Sequence, residues 1–254
     1  LNTFVVAIYD EVRGKYVYLD GSMDVPALNV LPVELSVTKA RILSADIPEN
    51  KKWVNLQEIP TNQIFMKISA NAQGNQITGR RTTILKGYDA LEYRKEYQTK
   101  DSLVNKQELV KEKLAISNLK RTEMEDDFVT IQEDFDFILE AEKSEDHIYI
   151  NPMLFPQLTK NPFIQSERIL PVEFPYLYRL NLSCALTLPE GYEVEELPQS
   201  QSIRSEGDGL QCKYMIQKQG NTILLNYVFH LKGYIFLSEQ YKQLQELWAK
   251  VIEK

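Results

Sequence analysis

Between residues 178 and 186 every second position is large and apolar: Tyr178, Leu180, Leu182, Cys184 and Leu186. A period of two puts these side chains on one face of a pleated strand, and no helix can gather them on one side. The pattern recurs in Leu210, Cys212, Tyr214 and Ile216. It recurs again from Phe128 to Leu139, where Val129, Ile131, Phe135, Phe137 and Leu139 alternate with Thr130, Gln132, Asp134, Asp136 and Ile138. That alternation describes a strand with one wet face. Strands are expected at Tyr178–Leu188, Gln201–Arg204, Leu210–Gln217 and Thr222–Lys232, parted by the turns Gly207-Asp208-Gly209 and Gln219-Gly220-Asn221. Such spacing predicts an antiparallel sandwich. A helix from Ser238 to Glu253 closes the chain, with Ser238 as N-cap and Tyr241, Leu244, Leu247, Trp248 and Val251 as its buried stripe. The fold class is therefore α+β, predominantly antiparallel β, with β-sandwich domains, a few helices and a C-terminal helix.

The first 160 residues are more mixed. Phe4–Tyr9 and Tyr16–Leu19 read as a β-hairpin. Residues 21–60 carry four prolines and little periodicity, which predicts a loop-rich connection. Ile64–Ala70 and Thr82–Leu85 flank the turn-rich Gly74–Gly79. Helices are expected over Tyr88–Tyr97 and over Ser102–Asn118. The second has Asp101 as cap and a stripe of Leu103, Val110 and Leu114, flanked by Leu109 and Ile116. A short strand follows at His147–Ile150, and residues 151–175 hold five prolines. Three regions are expected: 1–45, 46–160 and 161–254.

Composition excludes some functions. The 254 residues carry 29 Lys+Arg against 36 Asp+Glu, a formal charge of −7. Nucleic acids and anionic lipid surfaces select for Lys and Arg, so neither is an expected partner. No apolar run approaches the ~18–20 residues that cross a bilayer as a helix. No signal peptide is visible, and the chain opens at Leu1 within a strand-like run, so it reads as a piece of a longer polypeptide.

Catalytic chemistry finds little support in the residue types alone. A hydrolytic triad needs a nucleophile, a base and a group that orients the base. The chain has two histidines, His147 and His230, each reading as a structural or surface residue. Its two cysteines, Cys184 and Cys212, lie on inward strand phases and read as buried free thiols or a cross-strand disulfide. No spacing of Cys or His suits zinc, and no metal or other cofactor is expected. Glu123-Met124-Glu125-Asp126-Asp127 and the pair Asp134, Asp136 could offer oxygens to Ca²⁺, but lack a Gly-centred loop and read as solvated charge. Gly74–Gly79 lacks the Lys-Ser/Thr of a phosphate loop. Arg80-Arg81 is a short basic patch. Tyr88, Tyr93, Tyr97, Tyr176 and Tyr178 could form a glycan platform, although their spacing suits a core.

Two segments resemble a known family. Leu19-Asp20-Gly21-Ser22, at the end of the hairpin, resembles the Leu-Asp-Ala/Pro-Thr that ends a strand of transglutaminase-like (papain-type) cores. The resemblance makes Asp20 the orienting carboxylate of a Cys-His-Asp triad and puts Thr3 where the histidine belongs. Thr cannot cycle a proton near neutral pH. Downstream, Asn161-Pro162-Phe163, Glu167-Arg168, Pro171-Val172-Glu173-Phe174, Leu188–Pro198 and Tyr241, Leu244, Trp248 resemble the β-rich domain of unknown function that follows such cores in bacterial multidomain envelope proteins. Ile148–Pro152 fits it too. The resemblance implies a non-catalytic accessory region in the periplasm or cell envelope that binds a protein or polymer there. Its competitors are a piece of an active cysteine peptidase or transglutaminase-like enzyme, and a glycan-binding β-sandwich module.

Overall fold

A computed structural model describes residues 4–35, 37–56, 61–99, 113–125 and 129–253. The chain opens with the hairpin β1 (Val6–Asp10) and β2 (Lys15–Leu19), followed by the two-residue strands β3 (Ala40–Arg41) and β4 (Trp53–Val54). Next come β5 (Thr61–Gln73), β6 (Gln76–Lys86), helix α1 (Tyr88–Thr99), β7 (Leu114–Glu125) and β8 (Val129–Glu140). The short hairpin β9 (Glu142–Ser144) and β10 (His147–Tyr149) leads through a loop to β11 (Val172–Glu173). Strands β12 (Leu177–Thr187), β13 (Gln201–Arg204), β14 (Leu210–Gln219), β15 (Thr222–Leu231) and β16 (Ile235–Phe236) precede helix α2 (Tyr241–Ile252). The mostly β class and the closing helix are those expected from the periodicity.

Eight strands form one sheet in the order β13-β14-β15-β12-β5-β6-β8-β7. All its pairings are antiparallel except one: β12 runs parallel to β5 over eleven residues, from Leu177 opposite Thr61 to Thr187 opposite Asn71. This seam joins strands from either side of residue 160. The inward residues of both sets, Ile64, Met66 and Ile68 with Leu180, Leu182 and Cys184, lie in one apolar core. Of the two joins expected from sequence, residue 45 falls inside the β3–β4 hairpin. Residue 160 begins a segment that lies on α2.

The layer over the core is that segment together with α2. Tyr241, Leu244, Trp248 and Val251 are buried, as their helical spacing requires. Phe163 meets Trp248 edge-to-face at 5.3 Å, Phe229 meets it at 5.2 Å and Phe174 stacks on it at 6.3 Å. Polar tips fix the loop above the rings. Trp248 Nε1 donates to the Lys160 carbonyl at 3.2 Å, Gln245 Nε2 to the Phe163 carbonyl at 2.6 Å, and Asn161 Nδ2 to the Gln245 carbonyl at 3.0 Å. A loop with almost no ladder bonds of its own thus satisfies its carbonyls on a helix. Ser238, expected as the N-cap, instead opens a 3₁₀ turn (Ser238–Gln240), and Gln240 Oε1 accepts from Leu237 N–H at 2.8 Å.

The helix expected over Ser102–Asn118 is corrected where the structure describes it. Residues 100–112, with Asp101, Leu103, Leu109 and Val110, lie outside the described residues; Leu114–Glu125 is a strand. Leu114 and Ile116 are two residues apart and oppose Leu139 and Phe137 of β8. That cross-strand match outweighs the helical reading of the same side chains. Glu123-Met124-Glu125 continues β7, while Asp126 and Asp127 are outside the described residues.

Both cysteines are buried and neither forms a disulfide, Cys184 on β12 and Cys212 on β14. Burial pushes the Cys184 thiol up to about 12, and it also raises the phenols of Tyr178 and Tyr227. The folded state therefore holds protons that the unfolded chain releases, so stability is full below the ordinary thiol range and falls as pH rises towards 12. The midpoint of chemical denaturation should drop between about pH 8 and about pH 11, and an unchanged midpoint would contradict the burial. Separately, Trp248→Ala should cost about 3–5 kcal/mol, read as a lower midpoint at unchanged slope. A loss under about 1 kcal/mol would mean that α2 does not hold the layer.

Candidate functional site

Asp20, the residue singled out by resemblance, directly follows β2 and is 4% exposed. Its Oδ1 accepts from the Ser22 backbone N–H at 2.8 Å and from the Ser22 hydroxyl at 2.6 Å. Its Oδ2 is buried with no hydrogen-bond partner among the described residues. The hairpin packs its inner face, Val5, Ala7, Tyr16 and Tyr18, against Leu31 and Leu56. The other face of β1 is bare: Phe4 is 89% exposed, and Val6 and Ile8 are more than half exposed. Thr3 lies outside the described residues.

The groups a triad would need are elsewhere. His147 Nε2 pairs with Glu195 Oε2 at 2.9 Å. His230 sits on β15 opposite Arg179 of β12 and Gln211 of β14, and burial lowers its basicity, with Lys232 and Arg179 adding to the effect. Cys184 and Cys212 face the core, out of reach of a substrate.

The other residues weighed from sequence have structural partners. Asp134 accepts from the Thr82 hydroxyl at 2.6 Å and from Gln132 Nε2 at 2.7 Å, which holds its carboxyl below the usual range. Asp136 accepts from Asn118 Nδ2 at 2.7 Å. Tyr88 is buried, donates to the Leu31 carbonyl and stacks on Tyr176 at 4.5 Å. Tyr178 packs against Phe229. These three are engaged by rings and a carbonyl of the chain itself; the Tyr97 side chain lies outside the described residues. Arg81 is no surface patch either. It pairs with Glu133 at 2.8 Å and lies over the rings of Phe135 and Phe155. Glu133 is 2% exposed, and burial raises its carboxyl against the pull of Arg81. Arg121 approaches the same carboxylate at 3.6 Å and donates to the Tyr93 hydroxyl at 2.6 Å. Glu133 occupies an inward phase of the β8 alternation, between Ile131 and Phe135. A carboxylate on that phase signals a buried cation, and this signal was readable in the sequence.

One surface that the residue types did not announce is a cleft of about 1290 Å³ at the end of the sheet. Its floor is apolar, from Ala72, Ile77, Leu139, Leu154, Leu188 and Val194. The β9–β10 hairpin forms one wall and the loop 188–198 the other. Both walls follow from local chemistry. Glu145 takes positive φ in the hairpin turn, while Pro189 follows the end of β12 and Gly191 takes φ +83° in the loop. The His147–Glu195 pair ties the two walls together. Among the described lining residues, six are carboxylates: Glu140, Glu142, Asp146, Glu193, Glu195 and Glu196. Facing them are Lys113, which pairs with Glu142 at 3.7 Å, and His147. The arrangement offers an open, acidic, apolar-floored trough and no assembled nucleophile.

Comparison with known proteins gives little beyond this geometry. None of the curated proteins matches the chain. A solved structure of a candidate protease from Parabacteroides distasonis shares 23% identity with it at a TM-score of 0.32. That match covers 35% of this chain and only 17% of the other, and a likeness of this size carries no argument. Residues 146–254, which supply β10, the loop wall of the cleft and the α2 layer, match the family described as a domain of unknown function with solved structure, DUF3858.

Proposed function

We propose that this chain is a non-catalytic accessory region of a transglutaminase-like protein of the cell envelope and that its task is to bind. The observation that carries this reading is a contrast: both thiols are closed inside the sheet, while the end of the same sheet opens a cleft. Ligand sites for small molecules run to about 1,000 Å³. A cleft of about 1290 Å³ that is open to solvent suits a segment of a larger partner. The walls are built partly from Ile148–Asn151 and Leu188–Pro198, the runs that carry the family resemblance, so in this reading those runs shape a surface rather than a reaction centre.

Asp20 favours a second reading, in which the hairpin completes a catalytic core. A buried carboxylate oxygen without a donor among the described residues is costly, and Phe4, Val6 and Ile8 on the outer face of the same hairpin are exposed apolar surface. Both histidines of this sequence lie elsewhere, so in this reading an imidazole from another polypeptide segment would satisfy that oxygen, and apolar neighbours would cover the stripe. Hydrolysis and transamidation of a peptide amide separate the two readings. The purified chain should show no iodoacetamide-sensitive turnover. Turnover that is abolished by Asp20→Ala would overturn the non-catalytic reading in favour of the enzyme.

A further inference from the structure

The binding reading leaves the occupant of the cleft undefined, and the lining narrows it. Four of the carboxylates, Glu140, Asp146, Glu193 and Glu196, have no ion-pair partner among the described residues, and all four are exposed. Their like charges line both walls of the cleft, which disfavours a nucleic acid, an acidic polysaccharide or an anionic headgroup. A bare cation would find no closed cage, since among the described residues no three His, Cys, Asp or Glu side chains are set to hold a metal. The floor is apolar, and Tyr149 and Tyr192 stand at the rim at 61% and 43% exposure. Exposed tyrosines beside an apolar floor are the usual anchors of a protein interface, because a ring adds contact area at little cost in side-chain entropy. Lysine and arginine suit both features at once: their methylene stems cover apolar surface while the charged ends reach the carboxylates.

Resting on the binding reading above, we propose that the cleft seats an extended lysine- or arginine-rich segment of a partner protein. The stems lie along Leu139, Leu188 and Val194, and the cationic ends pair with Glu140 and Asp146 on the hairpin side and with Glu193 and Glu196 on the loop side. The His147–Glu195 contact bridges the two sides.

Because the whole chain is acidic, a cationic probe will also bind loosely elsewhere, so the test compares two variants of equal charge. Fluorescein-labelled deca-lysine is titrated into the full chain and followed by anisotropy, beside deca-glutamate and a labelled neutral glucan oligosaccharide. The cleft variant is Glu193→Gln/Glu196→Gln; the control is Glu11→Gln/Glu167→Gln, which removes the same charge from exposed positions outside the cleft. Deca-lysine should bind saturably, the cleft variant should weaken it by at least about fivefold, and the control should stay within about twofold. Tyr192→Ala should weaken it by about fivefold or more while leaving the net charge unchanged. Equal loss in the two charge variants, or no saturable binding of deca-lysine, would overturn the proposal. Binding of the glucan that is lost in Tyr192→Ala, with deca-lysine not bound, would overturn the cationic occupant but leave the binding reading standing. If none of the three probes binds, both fall together.

Discussion

The parallel pairing of β12 with β5 is the constraint on which the rest of the molecule depends. Parallel neighbours cannot be joined by a tight turn, so more than a hundred residues separate Gln73 from Leu177. Within that span the chain builds β6 to β11 and still returns in register, Leu177 beside Thr61. A slip of one residue would turn Leu180, Leu182 and Cys184 outward and remove them from the core they share with Ile64, Met66 and Ile68. The same register places the end of β12 next to the β5–β6 turn. The cleft exists for that reason: Ala72 and Ile77 come from one set of strands, and Leu188 and Val194 follow the other.

The resemblance runs acquire physical meaning once this sheet is in place. Asn161 turns the chain by accepting Phe163 N–H on its own Oδ1 at 3.0 Å, and Phe163 then drops onto Trp248. Phe174 reaches the same indole from the far end of the loop. Asn-Pro-Phe, Val-Glu-Phe and the Tyr241, Leu244, Trp248 stripe, distant in sequence, are thus parts of one aromatic cluster. Pro189 and Gly191 have a different role, ending β12 and turning the wall of the cleft. Asp20 stands apart from both groups, at the foot of a hairpin whose outer face is uncovered.

Much of this was legible in the residues. Period-two alternation located β8, β12 and β14, the spacing of turns located β15, and helical spacing located the buried side of α2. The β7 strand was misread because Leu114 and Ile116 are too few to set a period, and only pairing with β8 decides between strand and helix. The parallel seam left no local mark, since an inward Leu180 looks the same beside a parallel or an antiparallel neighbour. The cleft was hidden for a related reason: its carboxylates come from β8, a turn and a distant loop. Read along the chain they are ordinary surface acids, and only the fold gathers them. Glu133 is the opposite case, a charge on an apolar phase whose partner could have been inferred.

The claim that the end of the sheet, rather than the hairpin or a reaction centre, is the working surface can be tested by mapping backbone amide chemical shifts of the isotope-labelled chain as deca-lysine is added. The account predicts that the largest changes fall on residues 139–151 and 188–198, with the amides of 4–22 unmoved. Changes spread evenly over the acidic surface, or concentrated around Asp20 and the bare face of β1, would contradict it.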